Sequence, residues 1–217
     1  MHKKLGTVLI LLGVALLLVG LGNAGRNLWI EEQAGDHAES AMGQLLQQMQ
    51  SPQEPKPGEK PDSADPTDQT TPSGPALPSQ QEQESRRPMP EILIDGVPYI
   101  GYLEIPALDL QLPVLSQSNP ENLEIGPCRF YGTVYQKNFV IGGHRYRRHF
   151  RKLYTLGYGD RIYFTDGDGI RYAYRVEELE VVEPYQADYL CSGDWDLSLY
   201  TCTTGGASRV VVRCVFQ

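Results

Sequence analysis

Ten prolines fall between Ser51 and Pro90, in a stretch otherwise dominated by Gln, Ser, Glu and Thr. A segment of that composition has too little apolar surface to offset the entropy of ordering its backbone, so it is expected to be an extended, disordered linker. This feature divides the chain. A folded core must come from residues 91–217, and residues 1–50 must make their structure without it. The expected use of the linker is reach, holding a folded head away from whatever the N-terminal part attaches to.

The N-terminal part opens with His2, Lys3 and Lys4, followed by an uncharged run from Leu5 to Gly25 rich in Leu, Val, Ile and Gly. At about 1.5 Å per residue this run spans about 30 Å, enough to cross a bilayer once. Gly22-Asn23-Ala24 would also serve as the small-residue site of a cleaved signal peptide. The run exceeds the usual apolar core of a signal, so a retained anchor over residues 5–25 is expected. The lysine pair then places residues 1–4 inside the cell and the remainder outside. In residues 26–50 the apolar positions Ala34, Ala38, Met42, Leu45 and Met49 recur at helical spacing, with Glu31, Glu32, Asp36 and Glu39 among them. A stalk helix is expected, serving either self-association or as a solvated continuation of the anchor.

The head, residues 91–217, reads as mostly β. Candidate strands are Ile100–Ile105, Leu110–Val114, Cys128–Tyr131, Phe139–Gly143, Arg161–Thr165, Ile170–Val182, Leu197–Thr201 and Arg209–Phe216, separated by Pro, Gly and Asp signals. Many short strands with few helical patterns suggest a closed or nearly closed antiparallel barrel. Short helical turns are expected at Pro120–Ile125 and around His149–Leu153. Thr165–Gly169 resembles the start of a calcium loop but lacks the later ligands, and a hairpin turn explains it better. Net charge of −8 argues against a nucleic-acid binder. The four cysteines, Cys128, Cys191, Cys202 and Cys214, are too few and scattered for a disulfide scaffold, and no CxxC pair points to zinc. No cofactor or metal is expected.

The chemistry concentrates in the last two strands. Cys202 is out of phase with Leu197 and Leu199, so it should face away from the core, on the face that Arg209 and Arg213 also occupy. Neighbouring strands lie about 5 Å apart, so a thiol closing one strand and a guanidinium opening the next can reach one substrate atom. The bland alternative is an exposed cysteine and a solvated arginine at a hairpin tip. A catalytic thiol needs an imidazole or comparable electropositive surroundings. Of the four histidines, His144 follows a buried-looking strand ending in Gly142-Gly143, whereas His149 lies among arginines in what reads as a solvated turn. Cys214 alternates with Val210, Val212 and Phe216 and should point into the core.

Gly142-Gly143-His144, the segment Ser198-Leu199-Tyr200-Thr201-Cys202 and Arg209 resemble the His, Thr-Leu-x-Thr-Cys and Arg signatures of the sortase family. The resemblance runs from Gly101–Pro106, through Leu153–Leu156 and Gly159-Asp160, to the last strand, with Ser198 where the family usually has Thr. It implies an eight-stranded closed β-barrel and a membrane-anchored cysteine transpeptidase of Gram-positive-type cell surfaces. Cys202 would be the nucleophile, His144 the general acid and base, and Arg209 the stabiliser of the carbonyl oxygen. Its partners would be surface proteins bearing a C-terminal sorting signal, often of Leu-Pro-x-Thr-Gly type, and an amine acceptor such as a cell-wall precursor or a pilin lysine. Ala207, Tyr131 and residues 183–196 are candidates to line the groove. Asp65-Pro66-Thr67 lacks the aromatic of the lid carried by pilus polymerases, and no second apolar span follows, so an anchoring enzyme is expected rather than a pilus polymerase.

Two rivals remain. An L,D-transpeptidase is also an extracellular Cys/His enzyme, but it places the histidine beside the cysteine, and no histidine adjoins Cys202. A tethered binding module would need no chemistry at Cys202 and would use Arg145, Arg147, Arg148, Arg151 and Lys152 on an anionic polymer.

Overall fold

The computed structural model describes residues 2–50, 87–184 and 187–217. Residues 51–86, which include most of the expected linker and Asp65-Pro66-Thr67, lie outside the described residues.

Helix α1 runs without a break from His2 to Gln50. Its N-terminal part is long and apolar enough to cross a membrane, and among the described residues the side chains from Ile10 to Leu21 are exposed. The C-terminal part behaves differently. Ala34, Ala38, Ala41, Met42 and Leu45 are buried, the last three in a cluster with Ile94, Tyr99, Leu115 and Cys128. The helical stripe legible in residues 26–50 is therefore covered by the chain's own head, neither solvated nor left for self-association. Burial of Met42 and Leu45 contributes about 1.5–3 kcal/mol each.

The strands are β1 (Ile92–Ile94), β2 (Val97–Ile105), β3 (Leu110–Leu115), β4 (Cys128–Tyr131), β5 (Phe139–Gly142), β6 (Arg161–Asp166), β7 (Arg171–Val182), β8 (Leu197–Cys202) and β9 (Arg209–Phe216). Two short helices interrupt them, α2 (Pro120–Ile125) and α3 (Ala187–Leu190), with 3-10 turns at Pro106–Leu108 and Phe150–Thr155. Asn119 caps α2, its side-chain oxygen accepting from the Asn122 N–H at 2.7 Å, and Pro120 opens the first turn.

The sheet order is β1-β2-β3-β4-β5-β8-β9-β7-β6, and β6 also pairs with β2. That last pairing closes β2 to β9 into an eight-stranded barrel, with β1 as a short additional strand. Closure depends on Gly101, where a Cβ would lie 2.0 Å from the carbonyl oxygen of Thr165. Only glycine lets the two backbones approach this closely. Inside the barrel, Ile100, Leu103, Phe139, Ile141, Phe164, Leu199, Val212 and Cys214 form part of one continuous core. Cys214 packs there as expected, and all four cysteines are free. Thr165–Gly169 belongs to the hairpin between β6 and β7, where Asp166 Oδ1 accepts from the N–H groups of Asp168 and Ile170.

The barrel departs from the expected all-antiparallel pattern at two contacts. β3 pairs with β4, and β5 with β8, in parallel. The second matters for function, because the chain leaves β5, builds β6 and β7 on the far side, and returns to lay β8 alongside in the same direction. Both C-terminal ends then lie at one rim.

The expected reach of the linker rests on residues that lie outside those described, but the residues on either side of 51–86 are placed. Gln48 at the end of α1 bonds the Leu93 carbonyl at 3.4 Å. On the other side of residues 51–86, Arg87 pairs with Asp168 at 2.7 Å and Met89 is buried in the barrel core. The described residues that flank it, Gln48 and Arg87, thus both contact the head.

Candidate active site at the barrel rim

Three strand ends meet at this rim. Cys202, the last residue of β8, is the direct cross-strand partner of Arg209, the first of β9. On the other side of β8, the parallel ladder with β5 ends at Gly142 opposite Tyr200. It is prolonged by the Gly143 N–H donating to Tyr200 O at 3.1 Å and the Thr201 hydroxyl donating to Gly143 O at 2.8 Å. His144 and Cys202 each lie two residues beyond this last pair, on the same side of it. The three sequence-selected residues therefore fall at one rim, Cys202 and Arg209 at strand termini and His144 in the loop just past the end of β5. Cys202 and Arg209 are half-buried, as is His144, whose side chain is 35% exposed.

The two glycines before His144 have separate reasons. A Cβ on Gly142 would lie 2.4 Å from Cζ of Tyr200, and one on Gly143 would lie 2.9 Å from Cδ2 of Phe150. The rings of Tyr200 and Phe150 fill the space beside the strand end and leave the imidazole as the first side chain to project from it. Tyr200 in turn meets Phe130 edge-on at 5.4 Å.

The turn between Cys202 and Arg209 is closed by its own bonds. The Thr203 N–H donates to Ser208 O at 2.9 Å, and the Thr203 hydroxyl accepts from the Ser208 N–H at 3.0 Å. Gly205 and Gly206 both take positive φ, 85° and 75°. One terminal nitrogen of Arg209, Nη1, donates to the carbonyls of Gly206 and Ser208, each at 3.1 Å. These bonds hold the guanidinium at the hairpin tip.

His144 has neighbours that sequence reasoning did not pick out. Its Nε2 lies 3.8 Å from Glu124 Oε1 at the end of α2, and Glu124 Oε2 accepts from the Tyr146 hydroxyl at 2.7 Å. Burial and that bond push the Tyr146 hydroxyl well above its ordinary range, so it remains a donor. The rings of His144 and Tyr146 are 5.0 Å apart.

Arg213 and His149 are not part of this group. Arg213 pairs across the hairpin with Ser198, at the opposite end from Cys202, and its side chain is 1% exposed. His149, expected in a solvated turn, is buried. Its Nε2 lies 3.3 Å from the Ala34 carbonyl of α1, a partner 115 residues away that no local pattern could reveal. The arginines around it are also engaged. Arg147 pairs with Glu32, Arg148 with Asp36 and Glu39, and Arg151 with Glu31. The anionic partner of this basic run is the chain's own stalk.

Burial pushes the His149 imidazole down from 6.5 to about 4, with the charges of His144 and Arg148 acting in the same direction and the Ala34 carbonyl and Glu31 opposing them. It is neutral in the folded chain at neutral pH. Above pH 6.5 neither state binds the proton, so its contribution to stability is whole. As pH falls from 6.5 to about 4 the unfolded chain takes up a proton that the folded chain refuses, and stability drops by about 1.4 kcal/mol per unit. Between about pH 7 and about pH 5, the full-length protein should lose about 2 kcal/mol more than a His149→Phe variant does. Urea unfolding of both at the two pH values measures this, and equal losses would contradict a buried neutral imidazole.

A model of the sortase domain matches residues 103–217. The chain belongs to the sortase family. Sortase A of Bacillus anthracis is 28% identical over 117 residues, which cover 51% of this chain and 55% of that protein, so this sortase spans little more than half the length of that relative. Among solved structures, sortase A from Corynebacterium diphtheriae superposes with a TM-score of 0.51 at 27% identity, covering 56% of this chain and 61% of that one. Clostridium perfringens sortase C, solved with the C-terminal cell wall sorting motif, gives 0.50 at 28% identity, over 55% and 70%. The sortase-domain match includes His144, Cys202 and Arg209, all C-terminal to Leu103.

Proposed function

We propose that this sortase is a cysteine transpeptidase that cuts a C-terminal sorting signal of Leu-Pro-x-Thr-Gly type and transfers the protein to an amine. The observation that supports the reading is the cross-strand pairing of Cys202 with Arg209 at the ends of β8 and β9, with His144 just past the end of β5, the parallel neighbour of β8. The Cys202 thiolate attacks the scissile carbonyl, and Arg209 donates to the oxyanion that forms. The C–N bond then breaks, a thioester remains on Cys202, and the departing amine takes its proton from the His144 imidazolium. An acceptor amine, from a cell-wall precursor or a pilin lysine, attacks the thioester and gives a proton to His144. A new amide forms and the thiolate is released.

The apolar start of α1 supports a single-pass anchor in the cell membrane, with the lysine pair inside and the barrel outside. The groove for the signal peptide would run past Tyr131, which is 52% exposed, and past Ala207. The rival binding module is disfavoured by the pairing of Arg147, Arg148 and Arg151 with acids of α1, which engages three of its five basic residues.

Intact-mass measurement of the full-length protein after incubation with a Leu-Pro-x-Thr-Gly peptide tests the reading. An acyl adduct on Cys202 that hydroxylamine releases is expected, absent from Cys202→Ala and from His144→Ala. A wild-type protein that neither acquires the adduct nor cleaves the peptide would refute the proposal.

A further inference from the structure

The loop that carries His144 is held from two sides. Within the loop, the Phe150 N–H donates to His144 O at 3.3 Å, and the N–H groups of His149 and Arg151 both donate to Tyr146 O, at 3.0 and 3.2 Å. From outside it is held by α1. The Glu31 carboxylate, 14% exposed, accepts from the Arg147 backbone N–H and from Arg151 Nη2, the latter at 2.7 Å. Glu32 takes Arg147 Nη2 at 3.0 Å, Asp36 takes Arg148 Nη1 at 2.7 Å, and Glu39 takes Arg148 Nη2. Arg148 crosses α1 at Gly35, where an added Cβ would lie 2.5 Å from its Cδ.

These contacts extend to the imidazole. The Ala34 carbonyl meets the His149 ring at 3.3 Å, the His149 ring lies 5.5 Å from that of Tyr146, and the Tyr146 ring lies 5.0 Å from that of His144. Tyr146 is fixed on its other side through its hydroxyl to Glu124. A continuous row of packed groups thus links the backbone of the stalk to the histidine of the rim. Such an arrangement does more than fasten two bodies together, because the helix binds the one loop whose geometry decides where His144 points.

We propose that residues 31–39 of α1 position His144, so that the active site is complete only when the stalk of the same chain is docked on the 144–151 loop. The inference rests on His144 being the acid and base of the reaction. Glu31 is the central positioning residue, since it holds both a backbone N–H of the loop and a side chain at its end. None of residues 31–39 pairs with Cys202 or Arg209, so loss of docking should affect the chemical step rather than peptide binding.

The test uses full-length protein in detergent micelles, assayed for turnover of the sorting-signal peptide and for the pH profile of Cys202 alkylation by iodoacetamide. Misplacing a catalytic group by about 1 Å can cost up to about 10²-fold. Glu31→Ala and the double variant Glu31→Ala/Asp36→Ala should therefore lower kcat by about 10-fold to 10²-fold with KM within about twofold. Both should also displace the alkylation profile. Glu31→Gln keeps an oxygen for the Arg147 N–H and should recover most of kcat. Gly35→Ala, which makes Arg148 move, should fall between wild type and Glu31→Ala. Glu104→Ala, which removes a surface pair with Arg171 elsewhere on the barrel, should change neither readout. If His144→Ala abolishes acylation while Glu31→Ala and the double variant keep the wild-type kcat and profile, the inference fails and the catalytic reading stands. If His144→Ala acylates normally, the catalytic reading itself fails. A raised KM at unchanged kcat would also overturn the inference, since it would place the stalk in binding.

Discussion

Arg209→Ala is expected to lower turnover of a sorting-signal peptide by about 10²–10³-fold while leaving the fold intact. Arg209 is the cross-strand partner of Cys202, so a carbonyl attacked by the thiol develops its negative charge within reach of the guanidinium. Only Nη1 is committed to the hairpin tip, at Gly206 and Ser208, so the side chain is held in place before substrate arrives. A preorganised donor of this kind acts mainly in the transition state, and its loss should appear in kcat more than in KM. Arg209→Lys should rescue poorly, because an ammonium cannot hold the turn carbonyls and an oxyanion through one planar fork. Steady-state kinetics with circular dichroism as the folding control would decide. A folded Arg209→Ala protein turning over at a near-wild-type rate would remove Arg209 from the mechanism.

Arg213→Ala should act through stability, at a cost of about 3–5 kcal/mol. Its guanidinium is engaged on three sides, with Nε on Glu180 Oε1 at 2.8 Å, Nη1 on the Ser198 hydroxyl at 2.9 Å and on Leu190 O at 3.0 Å, and Nη2 on Tyr189 O at 3.1 Å. The Tyr189 ring lies 5.1 Å from it, and the Tyr189 hydroxyl donates to Glu180 Oε2. Removing Arg213 takes the cation from a largely buried carboxylate that keeps only the Tyr189 hydroxyl, deprives the Ser198 hydroxyl and the Leu190 carbonyl of its N–H groups, and frees α3 from the barrel wall. Against a typical total of about 5–15 kcal/mol, that loss would unfold a sizeable share of molecules at moderate denaturant. Urea midpoints would register it, and activity per folded molecule should stay close to wild type. A shift below about 1 kcal/mol would mean that the cluster is held by other contacts.

The two arginines show what could be read from residue order. Alternation places both on the Cys202 face, but the burial of Arg213 among Glu180 and the carbonyls of α3 is set by tertiary packing that the strand pattern does not carry. Strand bounds were legible wherever punctuation was strong. The bounds of β4, β9 and α2 are those expected, α2 because Asn119-Pro120 is a start signal whose mechanism is local. The missed β1 has three residues, too few for a period to register. The parallel alignment of β5 with β8 joins segments more than fifty residues apart in sequence, and nothing in either strand specifies its neighbour. The Gly-Gly that ends the strand before His144 is plain in the sequence. Its actual basis, two aromatic rings occupying the missing Cβ positions, is a packing fact. The acids of α1 and the arginines after His144 were both visible as charge runs. Their pairing was not, because a helix of that composition reads equally well as a solvated stalk.

An unbroken helix docked along the barrel also fixes altitude and bearing. Glu31 lies six residues beyond Gly25, about 9 Å at the helical rise, and it already touches the loop behind His144. With the first twenty-five residues seated in a bilayer, the enzyme would ride low and upright like a buoy on a rigid keel, its rim facing one compass direction relative to the helix. Cargo would then be sorted by where its cleavage point stands above the lipid as much as by its sequence.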